Sequence, residues 1–342
     1  MSLFRALILG LIYGIILLSP RRRVNRRGQL SRAVFICTRD KFVFYGAANM
    51  KYTFNRDLRL CGAVRMPFNK VILQLSRAPL AALFRITPVS GVAINHTDCA
   101  GRRLWVFEGA GLSEGSPCLL FIHGGGFGFG AAPHHKHLAA ELAKRARCRV
   151  FMPDYRLLPE SPFPSAREDC LAAYRFICEK YPSAKIAVMG DSAGGALTVG
   201  VCADAAANAL KAPCLQLLLY PVADGTMSCP SLSRFEDAPM WSARNNAAMW
   251  RMYLDGREHT AASPLHMPLP TPPCDAFIEL AQYDCLHDEG AALAERLKSL
   301  GGAVELHTIS GAPHGYDMMW RGVTAKCCLD LRCAALSRAF EK

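Results

Sequence analysis

The chain has 342 residues, 51% of them hydrophobic and 20% charged. That is enough apolar material for a large core, which excludes a globally disordered chain, and the length suits one large domain or a domain with a smaller lid. The net charge of +12 is uneven: residues 1–39 hold eight arginines and no acid, against 32 basic and 28 acidic residues in the remainder. The basic excess therefore belongs to an N-terminal segment and not to a nucleic-acid-binding face. Neither finger spacing nor an aromatic RNA-binding strand motif occurs, so no nucleic-acid partner is expected.

Residues 6–18 are continuously apolar apart from glycines and Tyr13, with Arg5 before them and Arg21-Arg22-Arg23 after. At ~1.5 Å per residue this helix would span roughly 20 Å, short of a ~30 Å hydrocarbon core. Adding residues 2–4, with flanking arginines reaching to the headgroups, makes a span feasible. No small-x-small cleavage site precedes Pro20, which argues against a signal peptide. Residues 1–23 are expected to be an uncleaved membrane anchor with a basic flank. By the positive-inside rule the arginines after it are expected to leave the rest of the chain in the cytosol. The alternative is the endoplasmic reticulum lumen, where the sequon Asn95-His96-Thr97 would be usable. Fifteen cysteines without CxxC or other metal-ligand spacing read as buried free thiols.

Residues 24–90 are expected to form an N-terminal cap region with an amphipathic stretch at 71–84. The main domain is expected over 91–342. An antiparallel edge at 92–95 and 104–107 precedes alternating strands and helices. Apolar runs at 118–122, 150–152, 186–189, 217–220, 276–281 and 304–309 are the strands. Helical periodicity falls at 138–146, 166–181, 192–210, 293–300 and 324–340, with Gly301-Gly302 as a stop signal. Such alternation predicts an α/β fold, a mainly parallel sheet flanked by helices. Residues 224–273 break the pattern, with a helix at 243–254, and are expected to insert as a second piece of helical cap.

Gly190-Asp191-Ser192-Ala193-Gly194 joins a strand to a helix. In that context G-x-S-x-G is a nucleophile elbow: a sharp turn exposes Ser192 while glycines let backbone approach closely. His123-Gly124-Gly125-Gly126-Phe127 follows another strand, and its glycines bare N–H groups suited to a developing oxyanion. A seryl nucleophile needs a base and the base an orienting acid. Asp284 and His314 follow later strands in the order this architecture uses, with Asp288, His287 and His307 as decoys. His134, His135 and His137 look like a metal cluster but read as a solvated helix start. No metal or cofactor is expected.

With these motifs the sequence resembles the hormone-sensitive lipase family of α/β-hydrolases, carboxylesterases and arylacetamide deacetylases among them. The resemblance rests on 123–127, Tyr155-Arg156-Leu157-Leu158-Pro159-Glu160, 190–195, 284–290 and His314-Gly315, within residues 90–342. It implies a triad of Ser192, Asp284 and His314 and an oxyanion hole of Gly125, Gly126 and Ala193. His123 and Gly124 are structural neighbours that hold the loop. Arg156 and Glu160 read as an internal ion pair. Cys285 and Tyr316 depart from the family's usual proline and phenylalanine. The implied activity is cleavage of hydrophobic small-molecule esters, with short or medium acyl chains, through an acyl-enzyme. Amide deacetylation and membrane lipid hydrolysis would use the same triad. A non-catalytic receptor of this fold would lack the histidine that His314 supplies.

Overall fold

The computed structural model describes residues 52–342 and, before them, the backbone of two antiparallel strands, β1 (Val34–Thr38) and β2 (Lys41–Tyr45). The apolar segment at residues 6–18 and the arginines after it lie outside the described residues. Among the described residues no helix is long and apolar enough to cross a membrane.

Strands β3 (Ala93–Cys99) and β4 (Arg102–Glu108) make the expected antiparallel edge. Beyond it β5 (Cys118–Ile122), β6 (Arg149–Pro153), β7 (Ile186–Asp191), β8 (Leu215–Leu219), β9 (Ala276–Tyr283) and β10 (Val304–Pro313) run parallel. The order across the sheet is β10-β9-β8-β7-β5-β6-β4-β3. Every residue of β5, β6, β7 and β8 is buried, so both faces of the centre are covered. That is why these strands are unbroken apolar runs with no alternation. The helices, in chain order, are α1 (Lys70–Ile86), α2 (Pro133–Arg145), α3 (Ser165–Lys180), α4 (Ala193–Ala207), α5 (Pro230–Arg234), α6 (Ala243–Leu254), α7 (His287–Ser299) and α8 (Val323–Glu341), and α2, α3, α4 and α8 pack on the central strands. Parallel strands put their carboxyl ends on one edge of the sheet, and the turns that follow β5, β7, β9 and β10 meet there. The chain reverses its direction of travel across the sheet at β5, between β6 and β7, where such folds open a crevice.

Two regions outside the strand–helix alternation pack on one another. Helix α1 starts at Asn69, whose side chain accepts the Ile72 N–H at 3.1 Å. Met240 N–H donates to the Val64 carbonyl at 3.0 Å, and Asn245 Nδ2 to the Met66 carbonyl at 2.6 Å. The Phe68 and Trp241 rings meet edge-on, their centroids 5.3 Å apart. Phe68 and Trp241 both lie against Gly126 in the loop after β5, so both regions reach the carboxyl edge of the sheet.

Two expectations need correction. Arg156 does not pair with Glu160. Its guanidinium forks onto Asp169 at 2.8–3.0 Å and reaches Glu168 at 3.0 Å, both on α3. Glu160 instead meets Arg77 and Gln74 of α1. The turn at 158–160 carries Glu160 toward α1, whereas α3 passes directly beside Arg156. The second concerns the histidine tract. His135 is buried and bound to Asp191, so the start of α2 is packed against the centre of the molecule rather than solvated.

Candidate active site

Ser192 sits between β7 and α4 with φ 54° and ψ −119°, a region that L-residues with side chains avoid. The strain is held from several sides. Ser192 N–H donates to the Leu219 carbonyl at 2.8 Å, and the Ser192 carbonyl accepts from Gly195 and Val222 at 2.9 and 3.0 Å. A Cβ on Gly190 would collide with the Gly194 carbonyl, and one on Gly194 with the Ile122 carbonyl. Only glycines let the two strand ends and the helix close this tightly.

His314 follows β10, and its Nε2 lies 2.9 Å from Ser192 Oγ. Its Nδ1 lies 2.7 Å from Asp284 Oδ2. Asp284 Oδ1 accepts the Leu286 N–H at 2.9 Å, so both carboxylate oxygens are engaged. A carboxylate facing Nδ1 fixes the proton there and leaves Nε2 to accept the seryl proton. All three side chains are buried, at 4% exposure for Ser192, 7% for His314 and none for Asp284. The decoy Asp288 begins α7 and pairs with His287 and Arg234, away from this line.

The glycine loop passes beside Ser192. The Gly124 N–H is already used, donating to Asp191 Oδ1 at 3.0 Å. Among the described residues no backbone acceptor takes the N–H groups of Gly125 and Gly126. Ala193 begins α4, where a helix leaves its first N–H groups unpaired. Gly126 takes φ 59°, and a Cβ there would press on the rings of Phe68 and Trp241. His123 stacks on Tyr155 at 4.4 Å, and Tyr155 Oη donates to the His123 carbonyl at 2.7 Å. Burial lowers the His123 pKa to about 4, so its ring is neutral and donates from Nδ1 to the Gly124 carbonyl at 2.8 Å.

Two supports were not singled out from the sequence. Asp191 spans the site, with Oδ1 on the glycine loop and Oδ2 3.3 Å from His135 Nε2. Burial would raise its pKa, but the His135 imidazole hydrogen-bonded to it outweighs that and holds it at about 2. His135 Nδ1 accepts the Ala132 N–H at 2.9 Å, so the ring ties the start of α2 to the loop. Nitrogens of His134 and His135 and the Asp191 carboxylate do lie within 4.8 Å of one another. Both ring nitrogens of His135 are nonetheless occupied within the protein.

The geometry has parallels in known proteins. The alpha/beta hydrolase fold family matches residues 119–318. The chain belongs to that family. The ethyl acetate hydrolase of Pseudomonas putida is 34% identical over 210 residues, which are 59% of this chain and 66% of that protein. The chain thus spans just under two thirds of that relative. Among solved structures, esterase LipW from Mycobacterium marinum superposes with a TM-score of 0.78 at 28% identity, covering 85% of this chain and 97% of its own. A hormone-sensitive lipase from a metagenome library matches with a TM-score of 0.70 at 29% identity, over 80% of this chain and 100% of its own. Within the alpha/beta hydrolase fold family, then, the similarity is to esterases and hormone-sensitive-lipase-like proteins, as the motifs implied.

Proposed function

We propose that this chain is a serine hydrolase that cleaves carboxylic esters of hydrophobic small molecules through an acyl-enzyme. The observation that carries the reading is the hydrogen-bond line from Asp284 through His314 to a strained, hydroxyl-bearing Ser192. In this reading His314 Nε2 takes the Ser192 Oγ proton as Oγ attacks the ester carbonyl. The negative charge that moves to the carbonyl oxygen is met by the N–H groups of Gly125, Gly126 and Ala193, each such donor contributing ~3 kcal/mol. Collapse breaks the bond to the alcohol oxygen, which leaves with the proton from His314. Water, deprotonated by the same imidazole, then releases the acid and restores Ser192. Asp284, bonded to Nδ1, steadies the imidazolium.

The apolar lining supports a hydrophobic substrate. Phe68 and Trp241 approach Gly126, and Trp241 lies 6.1 Å from the His314 ring. We read residues 24–90 and 224–273 as the two parts of a cap over a catalytic domain spanning 91–342. A purified sample should hydrolyse p-nitrophenyl acetate and butyrate and leave the corresponding anilides largely intact. Anilide cleavage without ester cleavage would replace this reading with amide deacetylation.

Residues 1–23 are proposed as an anchor that keeps the catalytic domain in the cytosol. Protease treatment of intact microsomes should then degrade that domain. A protected, glycosidase-sensitive domain would put it in the lumen.

A further inference from the structure

We propose that Tyr220 is a positioning residue for His314, held in place through Asp317 by the buried guanidinium of Arg332. The inference rests on the serine-hydrolase reading above and adds to it a residue outside the triad and oxyanion loop.

Tyr220 directly follows β8 and is 2% exposed. Its φ is +36°, a conformation that a bulky residue adopts only when its surroundings force it. The forcing contacts are visible. Its N–H donates to the Glu279 carbonyl at 2.6 Å, continuing the ladder toward β9. Its hydroxyl donates to Asp317 Oδ2 at 3.0 Å. Between these two anchors the ring stands edge-on to the His314 imidazole, with centroids 4.9 Å apart and planes at 65°. Edge-on packing of this kind is directional. It limits rotation of an imidazole that must present Nε2 to Ser192 and Nδ1 to Asp284 at once.

The far anchor is unusual in its cost. Arg332 of α8 is fully buried between Asp317, at 3.0 Å, and Glu279, at 3.0 Å, and also donates to Tyr316 Oη at 2.8 Å. Taking such charges out of water is expensive, and apolar replacements often match them in stability. What the cluster provides is a fixed position for residues 316–317, immediately after His314-Gly315, and for the Tyr220 hydroxyl. Tyr316, which stands where the resembled family usually has phenylalanine, supplies the hydroxyl that joins Arg332 to Glu279. Tyr220 therefore connects a rigid charged cluster to the mobile-proton residue of the site.

The test is the inactivation of the full chain by a fluorophosphonate probe, with kinact and KI separated, for wild type, Tyr220→Phe and Tyr220→Leu, and with melting temperatures recorded. The Leu variant should lose about 10²-fold in kinact with KI unchanged, the scale expected when a reacting group is misplaced by about 1 Å. The Phe variant keeps the ring and should show a smaller loss in the same parameter. A Leu variant that reacts as fast as wild type overturns the positioning role alone. A change confined to KI overturns it too, making Tyr220 a wall of the substrate pocket. Wild-type protein that resists the probe sinks the serine-hydrolase reading and the positioning role with it. If the Leu variant does not fold, unchanged kinact in both Tyr220→Phe and Asp317→Asn overturns the proposal.

Discussion

Ser192 and His314 approach to 2.9 Å, yet the two ends of that contact are held by different means. The serine end is made of backbone. Glycines at 190 and 194 leave room only for carbonyl oxygens, and main-chain bonds to Leu219, Gly195 and Val222 fix the turn. The histidine end is made of side chains drawn from distant parts of the chain: Asp284, Tyr220, Asp317 and, behind them, Arg332. A backbone elbow tolerates almost no substitution, whereas a side-chain scaffold fails by degrees. The difference teaches where the site is a local structure and where it is a product of the whole fold.

Replacing chemistry should separate the ends most sharply. Ser192→Ala removes the nucleophile and should lower kcat for p-nitrophenyl acetate by about 10⁶. Asp284→Asn leaves the histidine without its orienting carboxylate and should cost about 10⁴. Asp288→Asn should stay near wild type, because Asp288 faces His287 and Arg234. The reverse ranking in steady-state assays of folded variants would transfer the acid's role to Asp288.

Structural substitutions come next. Gly194→Ala would drive a Cβ into the Ile122 carbonyl and should destabilise the fold by about 3 kcal/mol or more. A melting temperature equal to wild type would mean the elbow is looser than drawn. Asp191 offers a pH test. Its carboxyl is held at about 2, below the ordinary ~3.9 of an unfolded chain. A depressed carboxyl contributes stability above the unfolded value and loses it as pH falls through the folded one. That contribution, about 2 kcal/mol, should vanish between about pH 4 and pH 2. Thermal melts of Asp191→Asn over that window should slope less steeply than wild type; parallel curves would contradict the assignment. The smallest effect is at the surface. Glu160→Gln cuts a half-exposed pair with Arg77 and should cost no more than about 1 kcal/mol by urea titration. Asp169→Asn, which strips the fork from Arg156, should cost more.

The same division explains what could be read in advance. The elbow and the glycine loop are contiguous motifs whose geometry is written in neighbouring residues. Their strands are buried on both faces and announce themselves as apolar runs. Asp284 and His314 were legible because each follows a strand at the same edge of the sheet. The histidine tract was misread because helical spacing shows only that His135 faces one way, not that Asp191 waits there. Arg156 is paired by the sequence with Glu160 of its own motif, while the fold supplies Asp169 from α3. Arg332 lies in a helix of mixed character, and nothing local marks it as fully buried; its partners Glu279 and Asp317 come from β9 and the turn after β10. Nothing in the sequence around Tyr220 marks its positive φ.

The central claim is that Ser192 is a nucleophile activated by His314. Peptide mapping by mass spectrometry after treatment of the full chain with a fluorophosphonate tests it most directly. The account predicts one covalent adduct, on the peptide containing Ser192, formed quickly in wild type and only very slowly in His314→Ala. An adduct on a different serine, or equal labelling of wild type and His314→Ala, would contradict it.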